Sequence, residues 1–185
     1  VYLLSKATKE YYMMTFKERM LYLEGIQTKN KNNTHPNGTY ASVTLSKASQ
    51  KTLDDWVTAY KIPNATEPST YHSTLIYSRK GVPEAQDYKV DLPIKAKIDH
   101  WKIFKTQKGE DALVAIMNAP ILTQHHKNIR KQYGATHDFP DYHPHVTISY
   151  DFGSDIVPKE VPDLELEYDS KEFKALDPDF VPPKK

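Results

Sequence analysis

Apolar and polar positions along the chain repeat with two different periods. From Thr39 to Leu45 they alternate, which predicts a strand. Over residues 47–61, Leu53, Trp56, Val57 and Tyr60 recur at helical spacing, and Pro63 ends the helix. Ser69 to Ser78 predicts a second strand, closed by a turn at Gly81 and Pro83. Residues 88–106 and 111–118 form a hairpin-like pair around Gln107-Lys108-Gly109-Glu110. Pro120 suits the first turn of a helix, which runs through Leu122, His125, Ile129 and Tyr133 and stops at Gly134. Pro144 to Asp151 predicts another strand, and residues 161–176 one or two more. At the start, Leu3, Leu4, Ala7, Tyr11, Met14, Leu21 and Tyr22 make an imperfect helical stripe within residues 1–27. A polar, turn-forming stretch from Lys29 to Gly38 follows. Residues 1–36 therefore read as a helical extension and linker, and 37–185 as the core domain. Strands mixed with few helices predict an α+β domain built on mostly antiparallel sheet.

Composition narrows the class. The chain has 185 residues, within the range of one domain. Its 25 Lys and Arg against 24 Asp and Glu give a formal charge of +1, which argues against a polybasic coat for long nucleic acid or a membrane surface. The absence of cysteine excludes disulfides, thiolate metal sites and thiol nucleophiles. No run of about 18 apolar residues predicts a transmembrane helix, and Lys6, Lys9 and Glu10 interrupt the apolar opening as a signal core. The expectation is a cytoplasmic protein.

One internal repeat points to chemistry. Tyr71-His72-Ser73-Thr74-Leu75-Ile76 and Pro144-His145-Val146-Thr147-Ile148-Ser149 share H-x-T followed by strand-like residues, 73 positions apart. This fits a duplicated lobe in which each copy contributes one strand. Side chains at i and i+2 of a strand share a face, so His72 projects with Thr74 and His145 with Thr147. Side by side, the strands would gather two imidazoles and two hydroxyls. One imidazole can take a proton while the other gives one, and a threonine hydroxyl can bond a phosphate oxygen as charge develops. That set suits phosphodiester cleavage without a metal. A single H-x-T is commonplace and a lone strand histidine is usually structural; it is the second copy in a matching position that carries weight. His143 and His145 share a face as half of a zinc site, but no spacing completes it, and His125-His126 point in different directions from a helix. No metal or cofactor is expected.

These residues resemble the two-histidine (2H, LigT-like) phosphoesterase superfamily, and within it the phage anti-CBASS cyclic-oligonucleotide phosphodiesterases. The resemblance rests on Asn37–Val43, His72–Lys80, Gly134–Phe139 and Tyr142–Tyr150, spanning residues 37–150. It implies two pseudo-symmetric lobes of mostly antiparallel sheet with flanking helices around a central cleft. It also implies metal-free degradation of the cyclic di- and trinucleotides, such as 3′,3′-cyclic GMP-AMP, that trigger CBASS defence. By the same resemblance Tyr40 and Trp101 would stack on nucleobases, and Glu172 would face an adenine amino group. With His100, Lys102 and Lys105 around it, Trp101 reads as an exposed, ligand-facing ring. Two other functions use the same motifs. A LigT-like enzyme would act on RNA 2′,3′-cyclic phosphates or 2′–5′ linkages, and a sponge would hold cyclic nucleotides without cleaving them.

Overall fold

A computed structural model of the protein describes residues 35–106, 109–139, 141–154 and 156–177. The helix expected within residues 1–27, the start of the linker and Gln107-Lys108 of the hairpin lie outside the described residues. The chain runs β1 (Thr39–Leu45), α1 (Lys47–Ala59), β2 (His72–Ser78), β3 (Ile94–Lys105), β4 (Asp111–Asn118), α2 (Pro120–Tyr133), β5 (His145–Ser149) and β6 (Glu165–Ala175). The fold is α+β, with six strands in one antiparallel sheet of order β2-β1-β6-β3-β4-β5.

That order contains the duplication. β1-α1-β2 and β4-α2-β5 are the same strand–helix–strand unit, each completed by a third strand, β6 for the first lobe and β3 for the second. The lobes join where Ile94–Lys97 pair with Glu165–Tyr168. At the far ends the edge strands β2 and β5 meet, and the Ser73 hydroxyl donates to the His145 carbonyl at 2.8 Å.

The local causes are ordinary. Ser46 caps α1 by accepting from the Ser49 amide, which satisfies one of the free N-terminal donors. Leu53 and Val57 bury its apolar face. Pro120 opens α2, and Gly134, at φ 68°, closes it with its N–H on the Arg130 carbonyl; only glycine enters that left-handed region without a Cβ penalty. Thr39 is fully buried, held by His35 Nδ1 at 2.9 Å and by the Val82 amide at 2.8 Å, so the packed unit already includes His35. Val43, Leu75, Leu113, Val146, Ile148, Leu166 and Tyr168 form the middle of the core.

Two strand starts lie later than the sequence reading places them. Pro68–Thr70 form a 3-10 turn, so β2 starts at His72 and not at Ser69. Pro83–Asp87 form another, and β3 begins after the cis Leu92–Pro93 bond, not at residue 88. Residues 161–176 yield a single strand.

Candidate active site

His72 and His145 open β2 and β5 in equivalent positions. His72 stands opposite Thr44 and Thr74 opposite Ser42; His145 stands opposite Ile116 and Thr147 opposite Val114. Both histidines and both threonines are half-buried. The imidazoles are held alike: His72 Nδ1 lies 2.6 Å from the Thr70 carbonyl, and His145 Nδ1 lies 2.8 Å from the His143 carbonyl. A carbonyl only accepts, so Nδ1 carries the hydrogen in both rings. Nε2 is then the nitrogen each ring offers to a substrate.

Burial pushes both histidines below their ordinary pKa, because a low-dielectric setting penalises imidazolium. The carbonyl contacts oppose that shift in each ring. Glu172 also raises His72, whereas the nearby His72 lowers His145 further.

Each threonine has a tyrosine nearby. The Tyr40 hydroxyl lies 3.4 Å from Thr74 Oγ1, its ring edge-on to His72 with centroids 6.1 Å apart. Burial pushes Tyr40 up to about 12, so it is a neutral phenol at any working pH. In the other lobe burial pushes the Tyr150 phenol up, and the neighbouring Thr147 side chain opposes that shift. Glu172 lies in register with Ser42, and so in line with Thr74, and it pairs with Lys174 at 2.9 Å. Lys174 Nζ sits 5.4 Å from the centre of the Tyr40 ring.

Trp101 is not an exposed ligand platform. It is 5% exposed, stacked on Trp56 of α1 at 4.8 Å, and its indole N–H donates to the Glu160 carbonyl at 2.7 Å. The cause is a bulge in β3 between Ile98 and His100. An extra residue reverses the alternation of a strand. The bulge puts Trp101 on the buried face of Ile94, Ala96 and Ile98, and turns Lys102 and Phe104 to the opposite one. The Phe104 ring accordingly meets His145 edge-on at 5.0 Å, with Lys102 Nζ 5.6 Å from its centre. Phe104 and Lys102 thus flank His145 much as Tyr40 and Lys174 flank His72. Nothing in the sequence signals that bulge, and Phe104 and Tyr150 were missed.

The remaining histidines do other work. His125 bonds the Tyr88 hydroxyl at 2.9 Å, and His126 bonds the Leu75 carbonyl at 2.7 Å. Among the described residues no three His, Asp or Glu side chains are grouped to hold a metal ion. A surface hollow of about 610 Å³ beside the start of α2 is lined by neither histidine of the pair. The candidate site is instead where β2 and β5 meet.

Two H-x-T strands, meeting across a cleft from duplicated antiparallel lobes, define a two-histidine phosphoesterase fold. Solved structures agree: Escherichia coli LigT in its apo form superposes with a TM-score of 0.56 at 14% identity, covering 75% of this chain and 87% of LigT. A further phosphoesterase superposes at 0.56 and 11% identity, over 81% of this chain and 95% of that one. At such identities the likeness establishes the fold. The chain belongs to the anti-CBASS protein Acb1 family, whose model matches residues 37–182. It is similar to the anti-CBASS protein Acb1 of Vibrio phage KVP40, 38% identical over 114 residues (62% of this chain, 73% of the relative). The Acb1 of Enterobacteria phage T4 is 34% identical over 119 residues, covering 63% of this chain and 74% of the relative. The protein is a phosphodiesterase that acts on cyclic nucleotides and counters CBASS. No helix among the described residues is long and apolar enough to cross a membrane.

Proposed function

We propose that this enzyme opens cyclic di- and trinucleotides by a metal-independent, two-histidine mechanism. One neutral imidazole takes the proton of a ribose 2′-hydroxyl through Nε2. The 2′-oxygen bonds to the adjacent phosphorus as the bond to the 5′-oxygen breaks, and the second imidazole, protonated, gives its Nε2 proton to that departing oxygen. The linear product ends in a 2′,3′-cyclic phosphate. Exchange of roles lets water open that ring to a 3′-phosphate. Thr74 and Thr147 donate to the non-bridging oxygens, where charge develops. Tyr40 and Phe104 serve as stacking faces for the two bases, each contact worth about 1–3 kcal/mol, and Glu172 accepts from an adenine amino group.

The observation that carries this reading is the matched tethering of the two imidazoles, Nδ1–H to the carbonyl two residues earlier, which leaves Nε2 of both for proton transfer. The test is incubation with labelled 3′,3′-cyclic GMP-AMP in excess EDTA, followed by chromatography. Linear product at the rate seen without chelator is expected. Activity lost to EDTA and restored by Zn²⁺ or Mn²⁺ would overturn the metal-free mechanism. Tight binding without turnover would make the protein a sponge, and inertness with cleavage of RNA ends would make it LigT-like in substrate.

A further inference from the structure

The two H-x-T strands share a distortion immediately after the threonine. On β2, Thr74 pairs with Ser42 and Ile76 with Ala41, leaving Leu75 without a partner. On β5, Thr147 pairs with Val114 and Ser149 with Leu113, leaving Ile148 without one. A bulge of this kind disrupts the ladder and bends the strand, next to the residue whose hydroxyl meets the phosphate in the proposed mechanism.

The freed carbonyls are taken up across the lobes. The Tyr142 hydroxyl donates to the Thr74 carbonyl at 2.7 Å and His126 Nδ1–H to the Leu75 carbonyl at 2.7 Å. The Tyr142 and His126 rings are stacked, 4.1 Å apart and 5° from parallel. Both residues come from the second lobe, His126 from α2 and Tyr142 from the approach to β5. In return Thr66, on the approach to β2, donates its amide to the Ile148 carbonyl at 2.8 Å and its hydroxyl to the Thr147 carbonyl at 3.4 Å. Each bulge is clamped by the opposite lobe.

We infer that Tyr142, backed by His126, and Thr66 are positioning residues that set the two threonine hydroxyls at a fixed separation across the cleft. They touch no reacting atom; they act through the backbone of Thr74 and Thr147. The 3.4 Å contact of Thr66 is long for a bond between oxygens, so Tyr142 gives the sharper test. The inference rests on the reading that both threonines hold the phosphate.

The experiment is a cycle on 3′,3′-cyclic GMP-AMP, measuring kcat, KM and thermal midpoint. Tyr142→Phe should lower kcat about tenfold with KM nearly unchanged, because small displacements at a reacting centre act on the rate. In a Thr74→Ala background the same change should have almost no further effect on kcat. Thr66→Val keeps the amide bond to the Ile148 carbonyl and loses only the long hydroxyl contact. It should therefore lower kcat by less than Tyr142→Phe, again only with Thr147 intact, while Thr66→Ser keeps the wild-type rate. This pair covers the case of a poorly folding Tyr142 variant. An equal loss in both backgrounds, or no loss with Thr74 and Thr147 intact, would overturn the inference. A wild-type protein that turns over no cyclic nucleotide would instead sink the reading beneath it, and this inference with it.

Discussion

His72 and His145 each tether one ring nitrogen to a backbone carbonyl, and the proposed mechanism uses the other for proton transfer. Either alanine variant should therefore fold, with turnover reduced on the order of 10²–10⁴-fold. Because the two act in one step, the double variant should be far less than multiplicatively worse; near wild-type turnover by a folded single variant would remove the mechanism. The pH dependence follows from the shared downward shifts. The base must have lost its proton and the acid must keep one, so kcat/KM should be bell-shaped, peaking on the acidic side of histidine's ordinary value of about 6.5. Glu172 raises His72, so Glu172→Gln should move one limb to lower pH and leave the other in place. An optimum above pH 8 would contradict this. Trp101 is buried against Trp56, whereas Phe104 faces His145. Trp101→Ala, losing its stack on Trp56, should cost about 3–5 kcal/mol of stability with affinity per folded molecule retained. Phe104→Ala should raise KM with little change in thermal midpoint. Calorimetry beside steady-state kinetics separates them, and the reverse outcome would restore Trp101 to the ligand.

At the scale of strands and helices, period and punctuation were legible. Pro120 and Gly134 bracket α2 as expected, and Ser78 ends β2 where the turn signals fall. The registers were not legible. A bulge is a property of two strands in contact, so the faces of Lys102 and Phe104 became definite only once β3 lay against β4. Helix α2 shows a second thing that sequence conceals. His125 and His126 read as a mid-helix pair without common purpose, yet both are buried, and burial pushes His126 down to about 4. The unfolded chain binds a proton there near pH 6.5, the folded one only near pH 4. Between those values the unfolded state holds more protons, so stability is lost as pH falls, by on the order of 3 kcal/mol for this group alone. His72, His125, His137 and His145 are shifted in the same direction and add to the slope. Chemical denaturation from pH 7 to pH 4 should show that decline, and His126→Asn should flatten part of it. A stability independent of pH across the window would contradict the burial account.

For the whole molecule, the repeat of His72-x-Thr74 at His145-x-Thr147 was enough to predict two matched strands, because duplication leaves a trace in sequence even where each copy alone is commonplace. What surrounds the two histidines was less visible, since it depends on which strands lie beside the pair. The order of those strands has a consequence for how the protein is made. The second lobe, β3 to β5, occupies one unbroken stretch, whereas the first is interrupted, with β1 and β2 before that stretch and β6 after it. A ribosome therefore delivers one lobe whole and the other in two instalments. Until Glu165–Ala175 emerges, β1 lacks its inner neighbour, the lobes lack the ladder that joins them, and Glu172 does not yet exist. A nascent chain stopped short of β6 has both histidines and both threonines already synthesised, but no joined cleft in which to use them.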